Sequence, residues 1–301
     1  MQLVIFIFVY PLLWGVSRLP FRLIYIISDV VFYLLYYLIG YRKKVVLENL
    51  ELVFPNNTFK QNKAIQKKFY KHMCDMFLEM IKTLGITNEE LQKRFVYTNI
   101  KVVHDLETKN KSIMAFFPHY ASWEWTISLD NQIKSKGHAI YQPLGNIHFD
   151  NLIRKIRQKF GTTLISTRET PGVVRKNKNN NILSIYGILS DQSPMRKHAN
   201  YWAPFMGITV PIHVGAEVLC KKLELTPVYI KIKKIKRGYY QGTFKTLADN
   251  PNTAADYKIT DAFLQEVEKS IKESPEYYLW THRRWKHRDK VPTEYKNKGS
   301  E

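Results

Sequence analysis

The first forty residues contain no lysine, no glutamate, one aspartate (Asp29) and two arginines (Arg18 and Arg22). A run so poor in charge cannot serve as an ordinary solvated surface. It holds two apolar stretches, residues 3–16 and 23–39, separated by Ser17-Arg18-Leu19-Pro20. The first falls short of the roughly 20 residues needed to cross a bilayer. The second is nearly long enough, but Ser28 and Asp29 sit inside it, and it reads equally as a buried core helix. Tyr10, Trp14, Tyr25, Tyr33, Tyr36 and Tyr37 suit the interfacial preference of aromatic rings. Arg42-Lys43-Lys44 follow directly and place the chain beyond them on the cytoplasmic side. A cleaved leader fits badly: positive charge is missing before the apolar run, and no small-x-small site precedes the basic cluster. The segment as a whole is expected to engage a membrane.

The remainder is a globular sequence. Its 301 residues include 46 Lys+Arg against 26 Asp+Glu, a formal charge of +20. Such a field seeks polyanions or an anionic surface. Two cysteines, Cys74 and Cys220, cannot build a disulfide framework or a zinc knuckle, which points to a reducing compartment. Residues 45–91 are helical by spacing, with Val46, Leu50 and Val53 in phase and a break at Pro55-Asn56-Asn57-Thr58. Beyond Phe95, short apolar runs alternate with helical stretches. Strands are expected at 112–117, 139–142, 163–166, 182–190 and 226–236. Helices are expected at 149–160, 211–223 and 261–272, with a polar turn over 175–181. This alternation predicts an α/β fold with a mixed, largely parallel central sheet flanked by helices. Glycine-rich nucleotide loops, a G-x-S-x-G elbow and metal-ligand spacings are missing, so no metal and no cofactor are expected.

The chemistry-bearing constellation is Pro118-His119-Tyr120-Ala121-Ser122-Trp123-Glu124-Trp125, directly after an apolar strand. On one continuous helix, five residue steps would point His119 and Glu124 about 140° apart. On a strand–loop–helix turn, with His119 in the loop, Ser122 as N-cap and Glu124 in the first helical turn, the two can meet. A carboxylate on one imidazole nitrogen fixes the tautomer and frees the other to take a proton from a hydroxyl. Arg157 reads either as a functional cation or as part of a solvated basic face with Arg154, Lys155 and Lys159. Asp191 reads either as a ligand-facing residue at a strand end or as a turn cap before Pro194.

The chain resembles the bacterial lipid A biosynthesis (lauroyl/myristoyl) acyltransferases, relatives of the glycerolipid acyltransferases. The resemblance runs over nearly its whole length. It is carried in order by Glu48-Asn49-Leu50-Glu51-Leu52-Val53-Phe54-Pro55, the H-x4-[DE] box at His119 and Glu124, and Tyr141-Gln142-Pro143 with Asn146 and Asp150. Arg157, Arg168, Ser190-Asp191-Gln192, Ala203-Pro204-Phe205-Met206-Gly207 and Tyr278-Leu279-Trp280-Thr281-His282-Arg283-Arg284-Trp285-Lys286 complete it. It implies a membrane-anchoring segment at 1–40, a glycerolipid-acyltransferase-like domain at 41–289 and a polar tail at 290–301. It further implies His119 as general base, Glu124 as its orienting partner, and substrate-binding roles for Arg157, Arg168 and Asp191. Gln142 departs from the family pattern, where arginine is usual, and so does Pro118, where asparagine is common.

The implied reaction moves an acyl chain from an acyl carrier protein thioester to a hydroxyl of a lipid A precursor, at the cytoplasmic face of the inner membrane. A thioester is already activated, so the step calls for proton removal and oxyanion donors, such as Arg157 or backbone N–H groups near His119. Another lipid acceptor (a lysophospholipid or an aminolipid) or acyl-CoA as donor fits the same residues. A non-catalytic, membrane-tethered polyanion binder is the reading from another class. No nucleic-acid motif is legible.

Overall fold

The computed structural model describes residues 2–195 and 199–296; the end of the expected polar tail, from residue 297, lies outside them. Seven strands form one sheet in the order β1-β9-β8-β2-β5-β3-β4. They are β1 (Phe95–Tyr97), β2 (Ile113–Phe117), β3 (Lys136–Tyr141), β4 (Thr163–Ser166), β5 (Ser184–Leu189), β8 (Thr226–Lys236) and β9 (Tyr239–Thr246). Only β8 and β9 pair antiparallel; all other neighbours are parallel. Every residue of β2 is buried, as its unbroken apolar run requires for a central parallel strand. The mixed, largely parallel α/β architecture is thus the one the alternation of runs predicted.

Helices α1 (Gln2–Arg18), α2 (Phe21–Tyr33, continued by a π-helical turn, Leu34–Ile39), α3 (Lys43–Val53) and α4 (Phe59–Lys82) precede the sheet. Thr58 and Gln61 close a capping box at the start of α4. Every fourth residue from Ile24 to Tyr36 (Ile24, Ser28, Phe32 and Tyr36) is buried, and the stripe lies along α4. The opposite face of α2 stays exposed, so the second apolar stretch is half core helix and half apolar surface. Phe21–Ile39 is long and apolar enough to cross a membrane by length and composition. Cys74 and Cys220 are free and buried.

Two sequence-based expectations fail locally. Residues 175–181 are no turn: they fall mostly in helix α8 (Thr170–Asn179). Its inner face carries Val174 and then Asn177, whose amide sits 2.8 Å from His138 Nε2 and 3.0 Å from the Tyr186 hydroxyl. A helix that packs partly through a polar cluster shows little apolar periodicity. The helix expected over 211–223 starts only at Gly215 (α9, Gly215–Leu223). Before it comes a hairpin of β6 (Trp202–Phe205) and β7 (Ile208–Pro211), turned by Met206 and Gly207 at positive φ of 54° and 78°.

Candidate active site

In register, Phe117 of β2 pairs with Leu189 of β5. His119 lies two residues past the first and Asp191 two past the second. Parallel strands therefore deliver both side chains to the same carboxyl edge of the sheet, where open α/β sheets place their ligand sites. The Asp191 carboxylate meets His119 twice: Oδ1 is 2.7 Å from ring Nδ1, and Oδ2 accepts the His119 backbone N–H at 3.1 Å. Asp191 is fully buried, while the His119 side chain keeps 18 % exposure. Burial pushes the Asp191 carboxyl up, but the imidazole and the two N–H groups of His119 outweigh it and hold the group below the usual carboxylate range. An ionised Asp191 makes Nδ1 the protonated nitrogen and leaves Nε2 as the proton acceptor.

The turn holding His119 is fixed from outside. Ala121, at φ 51°, donates its N–H to the Tyr277 carbonyl at 2.9 Å, and Leu279 N–H donates to the His119 carbonyl at 3.0 Å. This backbone bridge ties the loop to the C-terminal motif. Ser122 stands at the N-cap of a 3-10 stretch, Trp123–Gln132, but makes no side-chain cap bond.

Glu124 lies in the first turn of that stretch, as expected, but its partner is not His119. Arg157, the last residue of α7 (Ile147–Arg157), binds it bidentately, Nε to Oε2 at 2.9 Å and Nη2 to Oε1 at 2.5 Å. The Trp123 indole N–H also donates to Oε1 at 3.1 Å, and the Trp123 ring lies 5.3 Å from the His119 ring. The carboxylate that meets the His119 ring is thus Asp191, where the expected contact was with Glu124. That contact follows from strand register, which a five-residue spacing within one segment does not reveal. Burial opposes the charge on Arg157, yet the paired Glu124 carboxylate raises its pKa. Arg157 is therefore no solvated helix-face cation. Arg168 is exposed, in the turn after β4. With the sheet order β2-β5-β3-β4 it stands three strand spacings from β2, about 14 Å away.

The remaining motif residues are mostly struts. Asn146 caps α7 through the His148 and Phe149 N–H groups, and Asp150 accepts the Leu144 N–H. Asn49 of α3 donates to the carbonyls of Trp280 and His282 at 2.8 and 2.9 Å, joining two motifs more than 200 residues apart. His282 Nε2 accepts the Ser193 N–H, and the Ser193 hydroxyl donates to the Arg284 carbonyl at 2.6 Å. The segment carrying Asp191 is thereby pinned to the C-terminal motif. Burial lowers the His282 pKa to about 4, which keeps it neutral and able to accept that bond. Trp280, Arg284 and Trp285 are buried, and Trp285 stacks on Phe205 of the hairpin. Sequence reasoning missed Trp123 as the contact between the two pairs, although it sits beside Glu124 within the box.

A buried carboxylate holding an imidazole at the carboxyl edge of a parallel sheet, beside a guanidinium–carboxylate pair, defines an α/β enzyme equipped for general-base chemistry. The chain belongs to the bacterial lipid A biosynthesis acyltransferase family, whose model matches residues 1–287, and is thus an acyltransferase. It is 21% identical over 288 residues to the lipid A biosynthesis lauroyltransferase of Escherichia coli (strain K12), covering 94% of this chain and 92% of that protein. It is also 20% identical over 262 residues to the lipid A biosynthesis palmitoleoyltransferase of the same strain (82% and 79% covered) and equally to a lipid A biosynthesis acyltransferase of Shigella flexneri.

Proposed function

We propose that this enzyme transfers an acyl chain from an acyl carrier protein thioester to a hydroxyl of a lipid A precursor, at the cytoplasmic face of the inner membrane. The observation that carries this reading is the His119–Asp191 pair, read within a family of lipid A acyltransferases. His119 Nε2 takes the hydroxyl proton as the oxygen attacks the thioester carbonyl. Asp191 stabilises the imidazolium that forms. As the tetrahedral intermediate collapses, the C–S bond breaks and the imidazolium returns the proton to the leaving thiolate. The products are an ester and the free carrier thiol.

Glu124 acts through Arg157: their two hydrogen bonds use Nε and Nη2 and leave Nη1 to face anionic groups of the substrate or the oxyanion. Arg168 extends the same edge as a second cation for acceptor phosphate. An acidic carrier suits the basic surface. A groove of about 770 Å³ is lined by Arg283, Lys286 and Arg288 of the C-terminal motif and its flank, and by Lys44, Glu48 and Glu51 of α3. Lys155 is also exposed. Lys159 is otherwise engaged, donating to the carbonyls of Thr83, Leu84 and Ile86 at the end of α4, and Arg284 is buried.

The test is mass spectrometry of lipid A from cells with and without the gene, joined to turnover of purified enzyme on carrier thioesters of graded chain length. Loss of one secondary acyl chain and its restoration by the wild type, but not by His119→Ala, is expected. An unchanged lipid A profile with a changed phospholipid profile would reject the acceptor. Full turnover by a folded His119→Ala enzyme would reject the mechanism.

A further inference from the structure

The apolar stretch Phe21–Ile39 has the length of a membrane span, but its packing conflicts with that use. Helix α2 runs antiparallel along α4, and the contacts pair up along both: Tyr25 with Glu79, Ser28 with Asp75, Asp29 with Lys71, Tyr36 with Gln66. Asp29, near the middle of the stretch, is bound at 2.8 Å by Arg237, which also holds the buried Asp75 at 2.6 Å. Arg237 stands at the tip of the β8–β9 hairpin. If α2 crossed a bilayer, the Asp29–Arg237–Asp75 cluster would lie at its midplane. The lysines of α4 and the end of the hairpin would be drawn into hydrocarbon with it. Charged groups at that depth carry a heavy penalty.

What the fold leaves outside is one apolar face. Leu23, Ile26, Val30 and Leu34 form an exposed stripe on α2, and Phe8 and Leu12 on α1 are exposed as well. The inner face of α1 packs through Phe6, Tyr10, Leu13 and Val16 onto Ile81 of α4 and Leu152 and Ile156 of α7. Cations border this surface: Arg18 lies 5.1 Å over the Trp14 ring, Lys67 lies 5.8 Å from the Tyr37 ring, and Lys67 and Lys71 are exposed. An apolar stripe with a cationic rim matches the boundary between acyl chains and anionic headgroups.

We propose that α1 and α2 lie in the plane of the bilayer surface, so that the enzyme is held on one leaflet and crosses neither helix through the membrane. This rests on the reading that the enzyme works at a membrane, and the test separates the two. Single cysteines at Leu23, Val30 and Leu38, all exposed, are spin-labelled in the full-length protein; Ile26 and Leu34 replace any position that fails to fold. Cys74 and Cys220 are buried, and burial pushes the Cys74 thiol up to about 12, so the label goes to the introduced residue. The protein is bound to vesicles of phosphatidylethanolamine and phosphatidylglycerol, and depth is read from oxygen against nickel-chelate relaxation.

In the plane, all three labels report similar depths of about 5–10 Å below the headgroups. A spanning helix separates Leu23 from Leu38 by about 22 Å along its axis. It then sets Val30 near the centre, about 15 Å deep, with the other two near opposite surfaces. That graded profile overturns the proposal while leaving the membrane reading intact. Labels fully open to the nickel chelate overturn both. Labels shielded from both reagents and coupled to one another mark a protein–protein contact and also overturn the proposal.

Discussion

Asp191→Asn is the sharpest probe of the site, because Asp191 serves two donors at once. Its Oδ2 accepts the His119 backbone N–H, and its Oδ1 takes the Nδ1 proton. Asparagine has a single acceptor oxygen. The backbone N–H cannot change character, so the amide oxygen stays on it and the amide NH2 turns to Nδ1. Nδ1 then becomes an acceptor, the ring proton moves to Nε2, and the imidazole faces substrate in the wrong tautomer. The same change in hydrolase triads costs about 10^4-fold in turnover with the geometry intact. We expect a loss of about 10^3–10^4-fold in kcat, roughly 4–5.5 kcal/mol of barrier, with KM little changed. Glu124→Gln keeps one acceptor for Arg157 and weakens one charge-assisted bond. Its expected loss is about tenfold, near 1.5 kcal/mol. Both variants are assayed at saturating carrier thioester, with folding checked by thermal melting. The reverse order, with Glu124→Gln near-dead and Asp191→Asn near-normal, would refute the reasoning and return the orienting role to Glu124.

Glu79 is buried, accepts the Tyr25 and Tyr240 hydroxyls, and burial pushes it up to about 7. A folded pKa above the unfolded one gives stability that is complete below about 4.5 and is lost as pH rises through 7. Relative to Glu79→Gln, the wild type should therefore lose on the order of 3 kcal/mol between pH 5 and 8 in urea melts, and parallel curves would contradict this. Arg237→Gln leaves Asp75 buried beside Asp29 with its strongest partner gone and should cost about 3 kcal/mol; a Tm within a degree of wild type would show that the cluster does not hold α2. Carrier thioesters should outperform acyl-CoA of equal length at low salt. The advantage should shrink as the Debye length falls from about 10 Å at 0.1 M to about 3 Å at 1 M. Replacing Arg283 and Lys286 with alanine should shrink it further, and equal specificity constants for both donors at all salt concentrations would exclude carrier docking.

Five of the sheet's seven strands were legible because a buried parallel strand has few ways to look, while the edge strand β1 and its neighbour β9 were not expected. Residues 163–166 and 226–236 were bounded as found, and 112–117 differed by one residue. Helix α8 was not legible, because Asn177 packs by hydrogen bonding where a leucine would have announced a core face. The hairpin before α9 was hidden by Pro211, which reads as a helix start but ends a strand. In the candidate site, His119, Glu124, Arg157 and Asp191 could be singled out from the sequence, but which of them touch could not. Which carboxylate meets His119 depends on the register of β2 against β5, a contact 72 residues apart. The second apolar stretch was ambiguous because it does two things: its i, i+4 stripe is core, and its opposite face, with Leu23, Ile26, Val30 and Leu34, is apolar and exposed.

Helix α7 connects these two properties. It packs along α1: the Phe6 ring sits 5.5 Å from the rings of His148 and Phe149 at its amino end, Leu152 and Ile156 lie against α1 further on, and Ile147 and Leu144 are exposed. Its carboxyl end carries Arg157 and so holds Glu124. The helix's eleven residues span about 16 Å. With α1 at the surface of a leaflet, α7 runs beside it and Ile156, next to Arg157, lies against α1, so the site stands close to the headgroups. There a lipid acceptor can present a hydroxyl to His119 while its chains remain in the bilayer. In the proposed reaction the thioester arrives from the aqueous side on its carrier, and Lys155, near the end of α7, is exposed. A spanning arrangement of α2 would break this geometry, because the Asp29–Arg237 cluster would carry the β8–β9 hairpin, and with it the sheet that bears the site, toward the membrane midplane.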